Sequence, residues 1–439
     1  MAESGEVVVI GAGVSGLSCA RRLAASGLGT IILESADRVG GVVATDRVGD
    51  FLVEAGPSTI LPTSGAMEQI VEAGLAGDMI AAPRGAPRYV WLNGRLRRVP
   101  WVLSPGGLIR VLGEPFVGRS PSGDDESAAS FFRRRFGHEV HDRLAGPFVG
   151  GIYAGDTEQL SLAGAFPRLA ELELRYGSVI VGILRGRKQA PRRFPLSSFT
   201  GGMKTLPEGL ARGLDVRLGC PVRSLRGDGG SWVVETDTET FRSEALVVAT
   251  PAGPAAGLLG GVSAEAGGLL RKAVYAPVAV AAAAVDDDAF PRPLAGFGFL
   301  IPRIEGLYTL GTQFNSCLFG GRAPRGRQLL TSFIGGASLP EIVDWTEERI
   351  WSVVSGEVGQ VLSLPAGSMT PLALHRYERA IPQYRRGHPA WRSAVAQTLG
   401  RQEGLFLAGN YLEGVSLPAA MENGMKVAQR AEAFIRRKR

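Results

Sequence analysis

A βαβ unit at the N-terminus, a matching strand–turn–helix at the C-terminus, and two intervening stretches of different periodicity predict an α/β fold. The expected architecture is a discontinuous Rossmann-type domain built from residues 1–87, 191–261 and 372–439. A helical insert domain is expected at 88–190 and an antiparallel-sheet domain at 262–371. The chain has 439 residues, room for about two or three domains at roughly 150 residues each. A chain this long buries a large core without disulfide staples.

Glu6–Ile10 is a continuous apolar, mostly β-branched run after its first residue, the pattern of a strand buried on both faces. It leads into Gly11-Ala12-Gly13-Val14-Ser15-Gly16, after which Leu17, Ala20, Leu23 and Ala24 recur at helical spacing. A second apolar run, Thr30–Leu33, ends at Glu34, 18 residues beyond Gly16. Together these make a complete dinucleotide-binding fingerprint. Gly11 permits the tight turn, Gly13 lets a pyrophosphate approach the backbone, and Gly16 lets helix pack on strand. The helix N-terminus offers amides and a positive dipole end to the phosphates. Glu34 can accept both ribose hydroxyls.

Further along, Phe131, Phe132, Phe136 and Val140 suit one helix face and Leu160 to Leu174 another. Residues 278–280, 297–301, 308–310 and 329–334 read as strands, with one helix from Pro340 to Val361. Val216–Leu225, Trp232–Glu235 and Ala245–Val248 read as strands of the first domain. Leu405–Leu407 is a strand ending in a turn at Asn410, followed by a long amphipathic helix.

The net charge is +6, and 43 of the 48 cationic residues are arginine. Zinc spacing, an RNA-binding sheet motif and a basic stripe interleaved with aromatics are missing, which argues against a nucleic-acid partner. Much of the arginine fits genomic bias. Cys19, Cys220 and Cys317 are odd in number and widely spaced, which fits a reducing, cytoplasmic compartment and no metal site. The acidic Glu3 and a first apolar run that reads as a strand lead us to expect no secretory signal. Its longest apolar stretch, Val274 to Val285, is too short to cross a bilayer.

The stretch after Glu34 carries a resemblance. Arg38-Val39-Gly40-Gly41-Val42, continuing to Glu54-Ala55-Gly56-Pro57, resembles the flavin-dependent amine oxidase superfamily. That resemblance implies one non-covalent FAD per chain. It places the Arg38–Gly41–Val42 turn, with Ser35, beside the FAD phosphates and the Gly56-Pro57-Ser58-Thr59 turn along the isoalloxazine. It further implies that Val222 pairs with adenine, and that Asn410 and the Val415-Ser416-Leu417 amides sit near the flavin's pyrimidine edge. Three departures show: Val42 where relatives often have Arg, Ser58 where they have Asn, and Asn410 where many have Asp.

Within that superfamily, Arg88–Leu96, Gly146–Asp156, Gly296–Pro302, Leu310–Phe314, Phe333–Gly336 and Ala380–Tyr384 with Gly387-His388 resemble oxygen-dependent protoporphyrinogen oxidases. The implied reaction removes six hydrogens from a porphyrinogen in two-electron steps at flavin N5. Dioxygen is reduced to hydrogen peroxide. The chemistry belongs to the cofactor, and the resemblance implies no catalytic side chain. Proximity and orientation carry the rate. Arg88 is expected at a substrate propionate, Leu300 and Phe314 on the macrocycle faces, and Gly150 and Gly151 in a turn that lets backbone approach the ring.

Gly94 to Leu103 and Leu108 to Leu112 mix bulky apolar residues with arginines, which suits either contact with an anionic membrane surface or a helical domain packing on itself. Coproporphyrinogen III oxidation, carotenoid desaturation, amine oxidation and flavin binding without turnover stay open as alternatives, as does a homodimer.

Overall fold

The computed structural model describes residues 3–119, 125–186 and 194–439. A mainly parallel sheet holds the N-terminal fingerprint. Its strands run in the order Val222–Asp228, Ser231–Thr236, Thr240–Val248, Glu3–Ile10, Thr30–Leu33 and Asp215–Arg217. Leu405–Leu407 adds in parallel to the end of Thr240–Val248, beyond the reach of the hairpin strand. Val7, Val8 and Val9 have no exposure, as a strand covered on both faces requires. Helices Val14–Ala25 and Leu417–Lys438 cover one face. Helices Ala252–Gly260, Ala264–Leu270 and His388–Leu399 cover the other. The first pair is in backbone contact, because a Cβ on Gly424 would stand 2.1 Å from the Ser15 carbonyl oxygen. A chain terminus thereby closes on the opening fingerprint.

The second sheet runs Met369–Pro382, Tyr275–Asp286, Arg327–Gly335, Thr309–Phe314, Gly298–Leu300, Arg88–Leu92 and Arg95–Arg98. Three of its strands reach outside the expected 262–371 segment. The hairpin at 88–98 joins this sheet by parallel pairing of Arg88–Val90 with Gly298–Leu300, instead of opening the helical insert. The strand Met369–Pro382 pairs with Tyr275–Asp286, so its residues after 371 belong to this sheet instead of the first domain. The boundary expected between 190 and 191 lies outside the described residues.

One face of the second sheet packs on helix Glu347–Leu362 through Phe299, Phe314, Leu330, Ile334, Ile350, Val354 and Val358. The helix expected from Pro340 begins as a separate 3-10 turn, Pro340–Asp344, before Thr346 caps the α-helix proper. The opposite face meets the first domain through Phe51 and Val53 and the helical insert through Ala154.

The helical insert is more broken than its periodicity suggests. Gly137, at φ +90°, ends helix Ala128–Phe136, so Val140 sits on the next segment and not with the three phenylalanines. Pro167 divides the expected Leu160–Leu174 face into Leu162–Ala165 and Pro167–Tyr176. An internal ion-pair network closes the insert. Arg135 and Glu114 are both fully buried and 3.1 Å apart. The Glu114 carboxylate also accepts the Val179 amide at 2.9 Å, at the start of helix Val179–Gly186. Such a pair persists because its remaining donors and acceptors are satisfied.

Candidate FAD site and substrate face

The glycine turn adopts the geometry its residues predict. Gly11 has φ +103°, and Gly16 approaches it so closely that a Cβ there would lie 2.0 Å from the Gly11 carbonyl oxygen. Gly13 differs: a Cβ there meets nothing within 4 Å. Gly13 is the N-cap of helix Val14–Ala25 and supplies no capping side chain. The first-turn amides, from Val14 and Ser15 onward, therefore stay available to an anion. Beside Gly11, the Thr250 hydroxyl is buried with no protein partner. An open cradle, free amides and an orphaned hydroxyl fit a dinucleotide phosphate.

Glu34 holds the turn together. Its carboxylate accepts the Ala12 amide at 2.7 Å, the Ala36 amide at 2.9 Å and the Ser35 hydroxyl at 3.2 Å. The Cys220 amide donates to the Glu34 carbonyl and the Gly219 amide to Ala36, both at 2.8 Å. This lacing brings the start of strand Val222–Asp228 beside Glu34. Gly40 bridges to Gly13, and Arg38 donates to the Gly41 carbonyl at 2.8 Å. The Arg38 guanidinium is thus tethered next to the paired glycines. Val42 is 45% exposed, and a Cβ on Gly56 would stand 2.4 Å from its carbonyl oxygen. The two turns expected beside a flavin are packed backbone to backbone.

The Gly56–Thr59 turn is gripped by the second sheet. Tyr377 donates its hydroxyl to the Ala55 carbonyl at 3.1 Å, and the buried Ser58 hydroxyl donates to Gln313 Oε1. Ser58 therefore bonds protein here, where the sequence suggested flavin or substrate. Behind the turn, Glu54 accepts from Thr45 at 2.6 Å and from the Met203 amide. Burial pushes its carboxyl above the ordinary range, against the pull of Thr45 and Arg322.

At the C-terminal end, Tyr384 is the organising side chain. Its hydroxyl donates to the Asn410 carbonyl and accepts the Gly414 amide at 2.6 Å. Its ring stacks on His388 at 3.9 Å, and His388 Nε2–H donates to the Tyr411 carbonyl at 2.9 Å. Asn423 accepts the Gly409 amide. Val415 packs in the same cluster as Tyr384, Ser416 caps the last helix, and Leu417 reaches the first-domain core.

On the second sheet, alternation sorts the expected substrate residues. Side chains of successive strand residues point to opposite faces. Phe314 pairs with Leu330, is 1% exposed, and stacks edge-on with Phe299 in the core under helix Glu347–Leu362. It faces away from the flavin turn, which corrects its expected place on a macrocycle. Leu300 pairs with Gly311 on the face toward the first domain, where Leu310 and Phe333 also lie. Its isobutyl tip occupies the space two glycines leave. A Cβ on Gly151 or on Gly311 would each stand 3.0 Å from Leu300 Cδ2. Gly150 and Gly151 lie on helix Gly146–Tyr153 and not in a turn, so it is a helix that covers this face. Arg88 is exposed, and its guanidinium lies 5.0 Å from the Phe297 ring centroid.

The model of the flavin containing amine oxidoreductases matches residues 14–431. The chain belongs to that family. As a flavin-containing amine oxidoreductase it is an FAD-dependent oxidoreductase. It is 33% identical to the chloroplastic protoporphyrinogen oxidase of Nicotiana tabacum, over 98% of this chain and 86% of the relative. It is 26% identical to the coproporphyrinogen III oxidase of Bacillus subtilis over 98% of each. A crystal structure of a provisionally assigned protoporphyrinogen oxidase from Exiguobacterium superposes with a TM-score of 0.81 at 20% identity, covering 99% of both chains.

Four residues of this flavin-containing amine oxidoreductase escaped functional reading from sequence: Tyr384, His388, Gln313 and Tyr377. Tyr384 and His388 stand four apart, and helix-like spacing of two aromatic polar residues beside a glycine was the available signal. For Gln313 and Tyr377 the partners lie 255 and 322 residues away.

Proposed function

We propose that the chain oxidises protoporphyrinogen IX to protoporphyrin IX with dioxygen as acceptor. The observation that carries this reading is 33% identity to a protoporphyrinogen oxidase along almost the whole chain. Bound FAD supplies the redox chemistry, taking two electrons and one proton as hydride at each of three steps and passing the electrons to dioxygen. The protein's share is placement. Leu300, Leu310 and Phe333 offer an apolar floor opposite the Gly56–Thr59 turn, and Arg88 offers a cation for a propionate at its edge. Of the histidines, His375 shares this sheet face four strands from Leu300 and lies 3.1 Å from the Asp46 carboxylate, while His141 is held between Asp142 and Thr157, and His388 by Tyr411.

Coproporphyrinogen III is the second reading, favoured by the Bacillus subtilis relative. Purified holoprotein is incubated with each porphyrinogen while porphyrin fluorescence and peroxide are followed. Porphyrin and peroxide formed together from protoporphyrinogen support the first reading. Turnover of coproporphyrinogen alone replaces it with the second.

We also propose attachment to an anionic membrane surface on the cytoplasmic side, through Trp101, Ile109, Leu112 and Phe116. These are 73%, 70%, 75% and 92% exposed. Arg110, on the same helix Pro105–Leu112, turns back to donate to the Arg134 carbonyl at 2.6 Å, which leaves an apolar, aromatic-bearing patch suited to an interfacial contact. Sedimentation with anionic liposomes tests it, and protein left in the supernatant at low salt removes it. Among the described residues, no helix is long and apolar enough to cross a membrane.

A further inference from the structure

The outermost two strands of the second sheet carry cations whose placement is set by register. Val90 pairs with Leu300 in one direction and with Arg97 in the other. Paired residues share a face, so Arg97 stands on the face of Leu300, opposite the one that packs on helix Glu347–Leu362. Arg88, two residues before Val90, stands on that face as well. The intervening positions confirm the alternation: Tyr89, Trp91 and Leu96 pack into the core under helix Glu347–Leu362. Arg98, paired with Tyr89, belongs to that opposite face.

Arg88 and Arg97 are therefore diagonal neighbours across one strand pair. Both are exposed, and neither has a carboxylate partner among the described residues. Two guanidiniums side by side repel each other, and an anionic ligand relieves that repulsion. The geometry of the sheet gives the distance. Gln313, which holds Ser58 of the flavin turn, is on the third strand inward from Arg97. At about 4.8 Å per strand the offset is about 14 Å, on the scale of a tetrapyrrole's own width. A macrocycle entering beside Leu300, which Gly151 of helix Gly146–Tyr153 touches, with one edge at the flavin turn would bring its far edge toward both arginines.

We propose that Arg97 is a second carboxylate-binding residue, which with Arg88 takes the two propionates on adjacent rings of the substrate. The proposal rests on the porphyrinogen reading above and deepens it. The site recognises a vicinal pair of carboxylates on one edge of the ring. A single carboxylate would leave one guanidinium unused. A planar guanidinium engages a carboxylate through two parallel hydrogen bonds, which a lysine cannot reproduce.

The test uses the holoenzyme with protoporphyrinogen IX and with its dimethyl ester. A charged hydrogen bond lost from binding corresponds to about a tenfold weakening or more. Arg97→Gln is expected to raise KM for the diacid about tenfold with kcat little changed. Arg97→Lys recovers only part of that loss. With the diester, Arg97→Gln should match wild type, because the carboxylate partner is already gone. Arg88→Gln should behave in the same way. Arg98→Gln, on the other face, should leave both substrates unaffected. An unchanged KM for the diacid in Arg97→Gln, with active wild type, overturns the proposal and leaves the porphyrinogen reading standing. An equal loss on diacid and diester also overturns it, since the effect would then be one of packing. Wild type inactive on every porphyrinogen removes the reading and the proposal together.

Discussion

Two glycines three residues apart in the fingerprint separate cofactor binding from folding. Gly13 has φ −68° and ψ 171°, angles any residue adopts, and a methyl group there touches no protein atom within 4 Å. Gly13→Ala should therefore stabilise the apoprotein by about 0.4–1 kcal/mol, because alanine has less unfolded-state freedom to lose. The same methyl intrudes where a pyrophosphate meets the backbone. One charge-assisted hydrogen bond lost there is about 1.5–3 kcal/mol, or roughly 10- to 150-fold in FAD affinity. Gly16→Ala is the counterpart. Its methyl would stand 2.0 Å from the Gly11 carbonyl oxygen, backbone against backbone. That overlap should cost about 3 kcal/mol, the upper end for overpacking, whether or not FAD is present. Urea unfolding of apoprotein and FAD titration by flavin fluorescence measure the two quantities, and added FAD should raise the midpoint much less in Gly13→Ala than in wild type. Gly13→Ala binding FAD like wild type, or unfolding earlier as apoprotein, would refute the assignment of that open space to the cofactor.

Tyr384→Phe removes the hydroxyl between Asn410 and Gly414, leaving a half-buried carbonyl and amide with one partner fewer. A loss of about 1–3 kcal/mol in stability is expected, with faster FAD release on dilution, whereas an unchanged release rate would show that the loop holds without it. Burial lowers the pKa of His388 from its ordinary 6.5, with Arg392 adding to the effect and the Tyr411 carbonyl opposing it. The unfolded chain then binds a proton that the folded chain refuses, so this contribution is complete above pH 6.5 and is lost as pH falls below it. Urea midpoints between pH 7.5 and 5.5 should decline less steeply in His388→Gln than in wild type; parallel curves would exclude His388 as the source.

The fingerprint was legible because its constraints are local. A tight turn after a strand requires glycine at Gly11, and close helix–strand packing requires it at Gly16, wherever the rest of the chain goes. The terminal helix was legible from its periodicity for the same reason. Phe314 shows where that logic stops. Its apolar side chain and neighbours suit either face of a sheet, and a shift of one residue in pairing reverses the choice. The pairing partner, Leu330, lies sixteen residues on, and only the assembled register decides that Phe314 faces helix Glu347–Leu362 while Leu300 faces helix Gly146–Tyr153. Breaks at Gly137 and Pro167 were visible as residues, yet their effect depended on how the segments then packed.

The amino-acid sequence by itself determined the dinucleotide-binding turn and the acidic residue that closes it, since these rest on steric demands within a few residues. The tertiary structure decided the rest: that strands 88–92 and 369–382 belong to the substrate sheet, that Tyr384 ties the C-terminal loop to that sheet's end, and that Arg88 and Arg97 share one face. Each of those depends on hydrogen-bond pairing between segments far apart in the chain, and the energy of such pairing resides in the closed assembly instead of in either segment alone.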